Sequence, residues 1–117
     1  MSHLFVEMYN YTEAWRRENP RARRDYIARV LAIIAQLPER GIEVVGFAFN
    51  EPETDNRAPY DFFCVYRVTD QATQRVFEKA ISEAGWYEFF DQVNLSGAAQ
   101  SPDAVLSANA EPDVTTR

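Results

Sequence analysis

Lysine, histidine and cysteine each occur once in this chain and glycine only four times, and each scarcity closes off a class of chemistry. Cys64 is alone, so no intrachain disulfide can form, there is no CxxC pair, and nothing points to an oxidising compartment. One histidine beside one cysteine leaves a soft-ligand zinc site without ligands. The few glycines make no phosphate-cradling loop of either usual spacing, and neither HExxH nor GxSxG occurs. A basic excess is missing too: 12 Lys and Arg stand against 18 Asp and Glu, for a net charge of -6. Nucleic acid is therefore not the expected partner, because phosphate binding draws on a basic surface that releases counterions. No apolar run approaches a membrane span, and MSHLFVEMYN lacks the basic start and apolar stretch of a signal peptide. The expectation is a soluble cytoplasmic protein with no metal and no cofactor.

Aromatic side chains are what the chain has in quantity, with eight Phe, six Tyr and two Trp. At 117 residues it is long enough for one hydrophobic core and too short for two. The large flat side chains belong in that core or in a pocket beside it. Residues 16 to 29 concentrate Arg16, Arg17, Arg21, Arg23, Arg24 and Arg29 against Glu18 and Asp25. That cluster reads first as a solvated helix face and second as an anion-binding patch.

The order of elements follows from periodicity. His3 to Tyr9 alternates with period two and is apolar on both sides except at Glu7, which makes it a strand. A polar connection with a helical turn around Glu13 to Arg17 follows. Asn19-Pro20 is a helix start, and Ile27, Val30, Leu31, Ile34 and Leu37 then share one helical face until Pro38 and Gly41 end it. IEVVGFAFN and YDFFCVYRV read as the two strands of a hairpin with both faces apolar, joined by the polar tip Glu51 to Pro59. Glu51, Glu53 and Asp55 in that tip lack the glycine and spacing of an EF-hand. Thr69 or Asp70 caps a second helix carrying Phe77, Ala80, Ile81 and Ala84 on one face, and Gly85 closes it. A short aromatic piece leads to a last strand at about Asp91 to Leu95, and Ser101-Pro102 can start a short helix in a polar tail. The domain is expected over 1–97 and the tail over 98–117.

Strand, helix, strand, strand, helix, strand is the ferredoxin-like βαββαβ order: an α+β fold with a four-stranded antiparallel sheet. Two helices cover one face of such a sheet, so apolar residues on the other face call for a second copy, sheet against sheet. The segments LFVEMYNYTEAW, DNRAPYDFFCVYRVTD and AGWYEFFDQVNLSG carry the resemblance. Over about residues 3 to 97 the chain resembles the dimeric α+β barrel superfamily, and within it a small uncharacterised bacterial family. That resemblance implies a homodimer with room for a small molecule between helices and sheet. The superfamily spans cofactor-independent monooxygenases, isomerases, dehydratases, haem-handling and stress-related proteins, so the likeness chooses no reaction.

Candidate site residues come from the side chains themselves. Glu7 is a carboxylate in the middle of an apolar strand: burial there would raise its pKa and suit it to general base work, while pairing with Arg67 would make it structural. Asn10, Tyr11 and Trp15 after the first strand, with Trp86, Tyr87, Asp91, Gln92 and Asn94 near the last, offer orienting polar groups beside aromatic rings, as a pocket for a flat ligand needs. The same aromatics can instead pack the core or a dimer interface. His3 and Cys64 lie on strands the fold makes neighbours; an unpaired strand cysteine is more commonly a small core residue. Arg57 and Asp61, with Tyr60 nearby, read first as a loop anchored by its own ion pairs and by a partner subunit, and second as a functional pair at a pocket mouth. The functional expectation is a homodimer binding a small apolar or aromatic molecule, with possible cofactor-independent chemistry; the alternative is a non-catalytic dimerisation or partner-binding module.

Overall fold

Alternation along His3–Tyr11 becomes strand β1 at the centre of the sheet in the computed structural model of this protein, which describes residues 2–113. Its neighbours are β3 (Phe62–Val68) and β4 (Phe90–Ala98), and β2 (Ile42–Phe49) flanks β3 on the far side, giving the antiparallel order β2-β3-β1-β4. Both β1 and β4 run longer than their apolar alternation suggests. The reason is pairing: from Tyr11 opposite Phe90 to His3 opposite Ala98, each residue of β1 finds a ladder partner, which holds even Ser96 and Gly97 extended.

Among the described residues, four of the five α-helices start on a side chain that accepts a free backbone amide. Thr12 does this for α1 (Glu13–Arg17), Asn19 for α2 (Pro20–Ala35), Asp70 for α3 (Gln71–Glu83) and Ser101 for α5 (Pro102–Ala108), with Ala22 N reaching Asn19 Oδ1 at 2.8 Å. The short α4 (Trp86–Phe89) instead follows Gly85 in the left-handed region. After α2 a 3-10 turn over Leu37–Arg40 ends at Gly41, whose φ of +81° an L side chain rarely adopts. Among the described residues no helix is long and apolar enough to cross a membrane.

Period two sorts the sheet into two faces. Phe5, Tyr9, Cys64, Tyr66, Val68 and Phe90 point to the helices and are buried, joined by Leu37, Ile42 and Phe77. The opposite face carries Leu4, Val6 and Met8 of β1 beside Phe63, Val65, Val93 and Leu95, none of them buried, and Leu95 is 62% exposed. A bulge between Val44 and Gly46 shifts the register of β2 against β3, so that Phe47 is set opposite Cys64.

A β-carbon at Gly41 would stand 3.1 Å from the Thr69 side chain, besides straining the backbone. Gly41→Ala is expected to cost about 1–2 kcal/mol in urea unfolding; a loss within experimental error would remove the argument for that turn.

Candidate functional site

Between the inner face of the sheet and the helices lies a cavity of about 430 Å³, a volume suited to a small organic ligand. Its floor is Glu7 and Tyr9 of β1, Phe47 of β2, Phe62 and Tyr66 of β3, and Phe90 of β4. Its roof is Tyr26, Ile27, Val30, Leu31, Ile33 and Ile34 of α2 with Phe77, Ala80 and Ile81 of α3, and Ala84 and Trp86 close one end. The small Ala80 and Ala84 line its rim and are themselves exposed, and the apolar edge of α2 rides over the opening, leaving Leu31 59% exposed. A broader depression of about 760 Å³ along Ile34, Gly41, Glu43, Arg67 and Thr69 is lined by no buried ionisable group.

One lining residue carries an acid: Glu7, only 1% exposed. Tyr9, two residues on and therefore on the same face, donates its hydroxyl to Glu7 Oε1. Gln92, across the ladder from Tyr9, donates Nε2 to Glu7 Oε2 at 2.8 Å. The orientation of Gln92 is dictated by Trp86, because an indole N–H can only donate: Nε1 reaches Gln92 Oε1 at 2.8 Å and turns the amide NH₂ toward Glu7 and, at 2.7 Å, toward Asn94 Oδ1. Burial raises the Glu7 pKa above its ordinary value; the bonds from Tyr9, Gln92 and Tyr66 offset part of that, and the nearby Glu78 carboxylate adds to it. Burial pushes the Tyr9 and Tyr66 phenols far up, and lifts the Cys64 thiol to about 12, so all three remain neutral donors rather than nucleophiles at neutral pH.

The residues singled out from sequence are distributed unevenly around this centre. Trp86 lines the cavity and Asn94 closes the chain of hydrogen bonds that starts at its indole. Tyr87, beside them in sequence, is 42% exposed. Asn10 works elsewhere, pinning the hairpin loop by accepting from Asp61 N and donating to Pro59 O, both at 2.9 Å. Tyr11 accepts from Arg16 at 2.9 Å on the surface. Trp15 packs behind the wall against Tyr26, Phe89 and Phe90.

Arg67 does not pair with Glu7: it lies opposite Leu4 on the outer face and meets Glu43 at 3.1 Å. His3 and Cys64 do not meet either, since Cys64 stands opposite Glu7, four residues or about 13 Å along β1 from His3. Arg57 holds its loop through the carbonyls of Asn50, Glu51 and Tyr60 rather than through Asp61. Among the described residues no group of three His, Cys, Asp or Glu side chains is placed to hold a metal. Tyr9 and Tyr66 escaped sequence reasoning, although the i, i+2 spacing of Glu7 and Tyr9 was a signal that both share a face.

Residues 2–112 match the model of a family described as "Family of unknown function (DUF6616)". Among solved structures the chain is similar to a mutant chlorite dismutase from Candidatus Nitrospira defluvii, with a TM-score of 0.70 and 15% identity, over 99% of this chain and 49% of that one. It thus spans about half the length of that protein. At this identity the likeness shows the fold alone, a ferredoxin-like α+β arrangement, and carries no activity across. No curated protein matches the chain in sequence.

A raised carboxyl pKa has a definite sign in stability. Between the ordinary value of 4.5 and the raised native value the folded state holds the extra proton, so stability is full below 4.5 and falls as pH rises through the native pKa. The slope in that window approaches about 1.4 kcal/mol per pH unit. Denaturant melts of the native chain and Glu7→Gln from pH 4 to 8 should show this fall in the former and its loss in the latter. Parallel pH profiles would contradict the assignment.

Proposed function

We propose that this chain, which belongs to that family of unknown function, is a homodimeric protein that binds a small, flat, largely apolar molecule between its helices and its sheet and presents the Glu7 carboxyl to it. The observation that carries the reading is the pairing of a 430 Å³ aromatic cavity with a single acidic lining group. Apolar walls supply affinity through surface removed from water, and one oriented polar group supplies direction. Keeping such a carboxyl in the core costs stability that a solvated or apolar residue would not, which is the pattern of a site rather than of a scaffold.

The arrangement also supports proton exchange without a cofactor. Tyr9 donates to Oε1 and Gln92 to Oε2, which fixes the orientation of the carboxylate. A ligand with an acidic C–H or O–H would give its proton to that carboxylate. Burial favours that step, because it discharges a desolvated carboxylate.

Sheet-to-sheet pairing is the second part of the reading. The outer face presents Leu4, Val6, Met8, Phe63, Val65, Val93 and Leu95 as a continuous apolar surface, and a second copy is the self-complementary partner that a two-fold dimer supplies. The same face favours the alternative of a dimerisation or partner-binding module with no ligand.

Two measurements separate these readings. Thermal-shift titration with planar aromatic compounds should include at least one that raises the melting temperature by about 5 °C at saturation, and Trp86→Ala should weaken that compound; a panel without any shift would favour the module. Light scattering should give twice the 13.5 kDa chain mass, and Val65→Glu should halve it. A native monomer at micromolar concentration would overturn the dimer.

A further inference from the structure

We propose that the cavity's ligand is an organic cation, an amine or quaternary ammonium on a flat apolar body, with its charge beside Glu7 and its body against the aromatic walls. This rests on the ligand-binding reading above and names the class of molecule. The first ground is a missing counter-charge. Glu7 is buried with neutral hydrogen-bond partners, the cavity is lined by no Lys, Arg or His, and among the described residues Glu7 has no ion pair. Three cations of the fold are engaged elsewhere: Arg16 with Glu13, Arg67 with Glu43 and Lys79 with Glu83. The nearby ionisable group that α3 contributes is a second carboxylate, Glu78, which deepens the negative potential. A carboxylate in an apolar site is stabilised most by a cation brought to it.

The second ground is the inventory of donors. Tyr9, Tyr66 and Gln92 hydrogen-bond Glu7, the Trp86 indole gives its hydrogen to Gln92, and the Tyr26 hydroxyl donates to Ala84 O at 3.0 Å. What the walls keep for a ligand is acceptor capacity: the carboxyl oxygens and the faces of aromatic rings. Ring faces attract cations through their quadrupole, and a ring of this lining already does so, since the Arg29 guanidinium sits 5.3 Å from the Tyr26 centroid. A carboxylate or phosphate ligand would meet two like charges and no free donor; a neutral hydrocarbon would leave Glu7 uncompensated. An ammonium satisfies both the charge and the acceptors.

The test is calorimetric titration of the intact chain with matched pairs that differ in charge alone: phenyl-, naphthyl- and anthracenylmethylammonium against the corresponding methanols. The ammonium of at least one pair is expected to bind at least about tenfold more tightly than its alcohol. Glu7→Gln, checked for folding by circular dichroism, should abolish that preference and keep the affinity for the alcohol. If Glu7→Gln does not fold, the pairwise comparison in the native protein decides alone. Alcohols that bind as tightly as, or more tightly than, their ammonium partners overturn the cation assignment and leave the binding cavity standing. Failure of both members of every pair overturns the assignment together with the ligand-binding reading.

Discussion

A carboxyl group removed from water must be met by hydrogen-bond donors, by a proton or by a cation, and at Glu7 the fold supplies the first of these and leaves the last to come from outside. Much of the site's geometry follows from that one requirement. Tyr9 has to lie on the same face of β1, Gln92 has to sit across the ladder on β4, and the amide of Gln92 has to be turned by a group that can only donate, which the Trp86 indole provides from the short helix before β4. Two stretches far apart in sequence, β1 and the segment from Trp86 to Gln92, therefore converge on one carboxyl. This carboxyl shares the cavity floor with aromatic rings, so the polar group and the cavity are parts of a single arrangement.

The sheet serves two masters. Its inner face is committed to the aromatic core and the cavity, while its outer face remains a field of aliphatic and aromatic side chains that are exposed or only half-buried. Cross-strand pairing couples the two faces, because a slip of one residue in β1 would carry Glu7 to the outer surface and Val6 or Met8 into the core. The long ladder between β1 and β4 guards against that slip, and Asn10 reinforces it by tying the end of β1 to the hairpin loop at Pro59 and Asp61.

Much of this architecture was legible in the residues. Alternation and helix caps located the elements, and the apolar character of both hairpin faces set out the question of what covers the second one. Periodicity also placed Glu7 mid-strand among apolar neighbours. What it could not supply was the partner across the sheet, since register depends on which strands pair and at what offset. For that reason Arg67 looked available to Glu7, when the ladder sets it opposite Leu4 on the other face. Tyr11 and Asn10 looked like pocket residues because they end a strand, yet β1 continues past Tyr9 and carries them beyond the cavity. Trp86 and Gln92 were recognisable as polar groups near aromatic rings; their hydrogen bonds to one another and to Glu7 depend on side-chain geometry that no spacing rule encodes.

The central claim is that Glu7 is a buried carboxyl whose pKa is raised by burial and that awaits a positive partner. Carbon-detected NMR titration of the Glu7 side-chain carboxyl, in the free protein and with an aromatic methylammonium at saturation, addresses it most directly. The account predicts a titration midpoint above the ordinary glutamate value in the free protein and a clear fall when the ammonium is bound. A midpoint in the ordinary range without ligand, or one that stays raised at ammonium saturation, would contradict it.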